Sequence, residues 1–239
     1  MKGDFLYWSL ARSLDLLVWR GTILNSSDLP SKAPVVFVAN HAAALGPIAV
    51  TASLPQRVFP WAISDMMDWD KAVDYLRKDF VEPQLHVPAS ASRWVSRLIS
   101  QFSVRLLRGV DCIPVWQGDA LRETYRMSVE YLVNKRSLLI FPEDPAGPMD
   151  DRFKMTPFKK GFARLGEMYF ERTGQILQFC PLAIHLEARA IKVGEPVFFN
   201  PDTDPVHEPM FIKHALESSI HEMYLLIEVE NRSAIPLPH

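Results

Sequence analysis

VVFVANHAAALGPIAV, residues 35–50, decides the fold. Val35, Val36, Phe37, Val38 and Ala39 are apolar without a polar alternation, as in a strand covered on both faces. The run stops at Asn40-His41, and Pro47 suits the first turn of a helix over residues 47–54. A buried strand that feeds a helix through a polar corner is the unit of a layered α/β domain.

The same pattern extends both ways along the chain. VFPWAI (58–63), VDCIPV (110–115), SLLIFP (137–142), ILQFCPLAIHLEA (176–188) and IKVGEPVFF (191–199) read as strands. Helical patterns cover residues 68–78, 91–107, 119–134 and 158–171, and Pro209 opens a last helix to residue 225. Strands alternating with helices predict an α/β domain, a mostly parallel central sheet flanked by helices. Sites in such sheets gather at strand ends. Asn40-His41 and Phe141-Pro142-Glu143 both stand where a strand gives way to a loop. Residues 1–30 read as an N-terminal amphipathic helical segment and residues 31–239 as the α/β domain.

Composition narrows the function. With 239 residues and 48% hydrophobic content, the chain supports a substantial core. Its formal net charge of −2 excludes nucleic-acid steering by bulk charge. Cys112 and Cys180 form no disulfide framework and no repeated metal spacing. No secretory signal is evident, and no apolar run reaches the roughly 18 residues of a membrane span. The expected location is the cytoplasm, peripheral on the cytoplasmic face of a membrane. His207, His214 and His221 recur every seven residues, but seven helical residues rise about 10.5 Å, too far for one metal ion. No phosphate-cradling glycine motif is present, and no Gly-x-Ser-x-Gly elbow argues for a serine hydrolase; no metal and no cofactor are expected.

Four blocks, in order, carry a more specific signal. VVFVANHAAALGPIAV resembles the first block of the glycerolipid acyltransferases, the 1-acylglycerol-3-phosphate and lysophospholipid type, in which Asn-His follows a strand. DCIPVWQG (111–118) resembles their second block, and LLIFPEDPAG (138–147) their Phe-Pro-Glu-Gly-Thr-Arg block. FKKGFARLGEMYFERTGQILQFCPLAIH (158–185) resembles the block ending in a Pro-Val-Ala-Ile-like strand. The resemblance implies transfer of a fatty acyl group from acyl-CoA or acyl carrier protein to a lipid hydroxyl or amine. It also implies His41 as general base, a role that suits an imidazole near neutral pH.

Carried over by motif, Glu143 joins His41 as catalytic. Asn40, Gln117, Phe141, Pro142, Asp144, Lys159, Lys160 and Gly161 fall at substrate-binding positions. The sequence departs from the family pattern at three places. The family's aspartate, five residues after the histidine, is Gly46. Gln117 replaces an arginine, and Asp144-Pro145-Ala146 stand where the family has Gly-Thr-Arg. These departures bear on full catalytic power and on a phosphorylated acceptor, since guanidinium forks are what a phosphate demands. Glu143 or Asp144 is the natural substitute for the missing aspartate. The rival reading is an impaired member that binds lipid or acyl chains. A thioester hydrolase, with water as acceptor, is a third.

Two segments suggest a membrane partner. Leu6, Leu10, Leu14, Leu17 and Val18 recur at helical spacing within residues 3–20. In the basic helix 91–107 and just after it, Arg93, Arg97, Arg105 and Arg108 share one side, and Val95, Leu98, Ile99, Phe102 and Leu106 the other. That helix suits an anionic lipid surface or an acidic carrier, or it packs its apolar side on the sheet.

Overall fold

The computed structural model describes residues 2–42, 45–82 and 86–234. The chain forms two compact units, Met1–Val58 with Ser128–His239, and Phe59–Met127.

The first unit is built on a sheet in the order β1 (Thr22–Leu24), β7 (Ala190–Val193), β6 (Gln178–His185), β2 (Val35–Ala39), β5 (Ser137–Ile140), with β8 (Val197–Phe198) also beside β6. β2 is parallel to both neighbours, with Val38 opposite Ile140 on one side and Pro181 on the other. β1 and β7 are parallel, whereas β6 pairs antiparallel with β7 and β8. The sheet is therefore mostly parallel and flanked by helices, as expected.

Every residue of β2 and β5 is buried, which explains their unbroken apolar runs. Pro181 fits inside β6 because it falls between the β8 and β7 pairings, where Gly194 N–H donates to its carbonyl at 3.0 Å. On one face, Phe37, Ala39, Cys180, Leu182 and Ile184 pack with Ala49, Val50 and Leu54, from or just after α2 (Leu45–Ser53), and with Trp19. The opposite face is covered by α7 (Glu208–Ala234), through fully buried Ile212, Leu216 and Ile220, while α6 (Leu165–Thr173) buries Leu165 and Tyr169. α7 runs past the expected residue 225 because no proline or glycine interrupts it before Pro236.

The N-terminal helix α1 (Lys2–Leu14) continues into a π-helical turn, Asp15–Trp19. Tyr7, Ala11 and Trp19 face inward, while Phe5, Trp8, Leu16, Leu17 and Val18 are exposed. The side chain of Leu6 lies outside the described residues. The short strand β1, unforeseen in the sequence, follows this turn.

The second unit pairs β3 (Val58–Ile63) parallel with β4 (Ile113–Val115), Trp61 opposite Ile113. It also packs α3 (Trp69–Leu76) against α4 (Ala89–Gly109), and α5 (Leu121–Val133) leads back into the first unit. Asp68 caps α3 by accepting from the N–H groups of Asp70 and Lys71. α4 turns its faces against one of the two readings open to it. Its inward face is Ser92, Ser96, Ser100 and Val104, and Leu98 and Phe102 point outward instead of packing on the sheet. Serine side chains are small enough to let two helix backbones approach closely, so burial here follows size before polarity.

Candidate functional site

The parallel register of β2 and β5 brings two of the expected residues together. Counting on from Val38 and Ile140 sets His41 level with Glu143, one residue beyond Asn40 and Pro142. The His41 N–H donates to Glu143 Oε1 at 2.5 Å. Glu143 Oε2 accepts from the Thr156 N–H at 3.0 Å and from Thr156 Oγ1 at 3.3 Å. The glutamate thus ties the turn after β2 to the far arm of its own loop. Its carboxylate meets the main chain of His41 on one side and Thr156 on the other.

That loop is closed at its base like a hairpin. Glu143 and Phe158 form an antiparallel bridge, Asp144 N–H donates to Pro157 O, and Lys159 N–H to Pro142 O. Asp150 and Met155 bridge further out, and the Phe158 N–H donates to Glu217 Oε1 on α7 at 2.7 Å. Thr156 was not legible in the sequence, because its pairing with Glu143 depends on this closure over 13 residues.

Asn40 is 1% exposed, and its amide replaces a peptide unit in the ladder. Its Nδ2 donates to Ile184 O at 2.9 Å, and its Oδ1 accepts from Ile184 N–H at 2.7 Å. Asn40 therefore locks the end of β2 to β6. His41 is exposed and follows a fixed point. Phe141 sets its ring edge-to-face against the imidazole, centroids 5.3 Å apart at 68°. Ala42 then takes φ +46°, a left-handed turn that costs about 1–2 kcal/mol for a residue with a Cβ.

Gly46 explains why no aspartate stands there. A Cβ on it would lie 1.9 Å from the His41 carbonyl oxygen and 2.8 Å from its carbon. On this backbone, position 46 is filled by the main chain of the histidine itself.

Asp144 is committed too. Its Oδ1 accepts from Ala146 N–H at 3.0 Å and meets Lys159 Nζ at 3.1 Å. The Ala146 N–H, and then the Lys159 ammonium, hold its carboxyl below the usual carboxylate range. Lys160 is exposed and precedes the 3-10 turn Gly161–Arg164, in which Gly161 is half-buried. Pro142 is buried behind Glu143. Gln117 belongs to the second unit, where it is exposed and precedes the turn Gly118–Ala120.

A second histidine lies at the end of β6. His185 is buried, stacked on Tyr224 of α7 at 4.6 Å, and its Nδ1 accepts from Ala188 N–H. Burial lowers its pKa, against the opposing charges of Glu187 and Glu228. It is a packed core histidine. Among the described residues, no helix is long and apolar enough to cross a membrane.

No protein-family model matches this chain, and no curated protein does. A solved structure does. The crystal structure of the 1-acyl-sn-glycerophosphate (LPA) acyltransferase PlsC from Thermotoga maritima aligns over 92% of this chain and 79% of that one. The TM-score is 0.55 at 15% sequence identity, so the two share a fold.

Proposed function

We propose that this protein transfers a fatty acyl group from acyl-CoA or an acyl carrier protein to a lipid-like hydroxyl or amine at a membrane surface, with His41 as general base. The observation that carries the reading is the clamped corner after β2. An exposed imidazole is presented at a strand end, its main chain held by a carboxylate from the next parallel strand, in a fold shared with an acyltransferase. In the reaction the acceptor oxygen or nitrogen attacks the thioester carbonyl while His41 takes its proton. The tetrahedral intermediate then collapses, the carbon–sulfur bond breaks, and the departing thiol leaves with that proton.

Asn40 and Glu143 act as positioning residues in this scheme, through Ile184 and Thr156 respectively. Asp144, paired with Lys159, sets a carboxylate where phosphate-binding arginines would be needed, which favours an acceptor without a phosphate. The exposed apolar side chains of residues 5–18 suit peripheral attachment to the cytoplasmic face of a membrane.

One observation favours a second reading, in which the protein binds acyl chains without turning them over. Gly46 leaves no room for an aspartate beside His41, and Asp144 is held by Lys159. Thiol release from acyl-CoA and from acyl carrier protein separates the two readings. For the catalytic reading, His41→Ala lowers the rate by about 10²–10⁴, the usual worth of a general base, while donor affinity is kept. Donor binding without any release by the native protein supports the binding reading instead.

A further inference from the structure

α4 is built inside out relative to an ordinary surface helix. Ser92, Ser96 and Ser100 are 0%, 0% and 1% exposed, whereas Trp94, Leu98 and Phe102 are 67%, 52% and 64% exposed. The three large side chains recur every four residues, one stripe about 12 Å long. Beside them on the outward arc stand Arg93, Arg97 and Arg105, all exposed, and α4 carries no acidic residue. Trp69 of α3 lies next to this surface, with the guanidinium groups of Arg105 and Arg108 at 5.5 and 5.6 Å from its ring. Arg108 is also fixed by two hydrogen bonds to the Met67 carbonyl.

We propose that the outward face of α4 is a lipid-contacting surface, in which Trp94, Leu98 and Phe102 enter the interface of an anionic bilayer while Arg93, Arg97 and Arg105 engage its phosphates. Charge and shape choose this occupant. A second copy of the face would set arginines against arginines. Protruding apolar side chains flanked by cations match the headgroup boundary, where the apolar stripe inserts and the guanidinium groups stay among the phosphates. Two acidic groups of α3, Asp70 and Asp74, share the α3–α4 groove with Arg93, Trp94 and Arg97, and Asp74 pairs with Arg77 at 3.4 Å. The inference rests on the acyl-transfer reading only in supposing that a bilayer is present. It requires no chemistry.

The test must report from α4 itself, because the exposed apolar residues of α1 and its π turn can hold vesicles independently. Gln101 is exposed within the outward arc and outside the stripe, so Gln101→Cys can carry an environment-sensitive dye. Burial pushes the thiols of Cys112 and Cys180 up to about 12, so neither competes for label near neutral pH. Vesicles of phosphatidylcholine with phosphatidylglycerol are expected to shift the dye emission to the blue, and phosphatidylcholine alone much less. Each arginine near an anionic surface contributes about fivefold, so Arg93→Gln, Arg97→Gln and Arg105→Gln together should weaken this response by about a hundredfold. Trp94→Ser with Leu98→Ser should weaken it independently. Both sets replace exposed side chains, and unchanged circular dichroism confirms folding. Binding to vesicles without a dye shift, or no binding at all, overturns the proposal. So does a shift produced by an acidic acyl carrier protein but not by vesicles. No acyl donor is present, so failure leaves the reading of His41 untouched.

Discussion

The two units of this chain spend their polar and apolar side chains in opposite ways. In the first, apolar side chains fill the interior and polar ones pin the main chain at strand ends, Asn40 to Ile184 and Glu143 to His41 and Thr156. In the second, α4 buries serines against α3 and displays Trp94, Leu98 and Phe102. α7 and α4 are both amphipathic, yet α7 buries Ile212, Leu216 and Ile220, and α4 does the reverse. Periodicity identifies a helix with two faces. Which face goes inward depends on how closely its neighbour must approach.

The sharpest break between the units should appear in stability. Asn40→Ala leaves the N–H and C=O of Ile184 without their partners, a cost of about 2–5 kcal/mol. Leu216→Ala, at a fully buried position of α7, should cost a similar 2–5 kcal/mol. Phe102→Ala, a larger truncation on exposed α4, should stay within about 0.5 kcal/mol. Denaturant midpoints of the three variants measure this directly. A loss of 2 kcal/mol or more in Phe102→Ala, the low end expected of a buried truncation, would show that α4 packs its apolar stripe after all.

A smaller effect is expected at Gly46. Gly46→Ala forces a methyl group onto the His41 carbonyl, and overpacking of this kind costs about 1–3 kcal/mol. Gly46→Asp should destabilise at least as much. Restoring the family's aspartate is therefore expected to displace the histidine and not to improve it. Wild-type stability with raised activity in Gly46→Asp would contradict the close approach.

Much of this was legible in the sequence, for identifiable reasons. The buried strands announce themselves by unbroken apolar runs, and the strand ends carrying Asn40-His41 and Glu143 follow from where those runs stop. The roles of these residues were not legible. Whether a carboxylate meets an imidazole or a backbone N–H depends on a bond across 102 residues, and on the Thr156 arm that completes it. The departure at Gly46 was visible, but its cause, contact with the His41 carbonyl, is a matter of coordinates. β1 was missed because three residues, TIL, carry no periodicity. The orientation of α4 stayed open between a lipid surface and the sheet, because Ser92, Ser96 and Ser100 look like solvent-facing residues.

The smallest expected difference concerns acid. Burial lowers the pKa of His185 and of His221, which is stacked on Phe153 at 4.0 Å. Lys213 lowers His221 further, while Glu217, Asp150 and Glu143 pull it up. A histidine with a depressed folded pKa binds protons more readily once unfolded. Stability is therefore retained above about pH 6.5 and lost as pH falls from there toward the folded values. Both residues belong to the first unit, and the second holds only the exposed His86. Hydrogen exchange at about pH 5.5 should loosen β6 and α7 before α3 and α4, and His185→Gln should reduce the slope. Equal loosening of both units would remove this distinction.

The central claim is that the corner after β2 moves an acyl group onto a lipid-like acceptor through His41. The most direct measurement incubates the protein with acyl-CoA carrying a labelled acyl chain and a total lipid extract, then follows where the label goes. The account predicts label in acylated lipid, lost in His41→Ala while the folded protein still binds the donor. Label appearing only as free fatty acid, or equal transfer by His41→Ala, would contradict it.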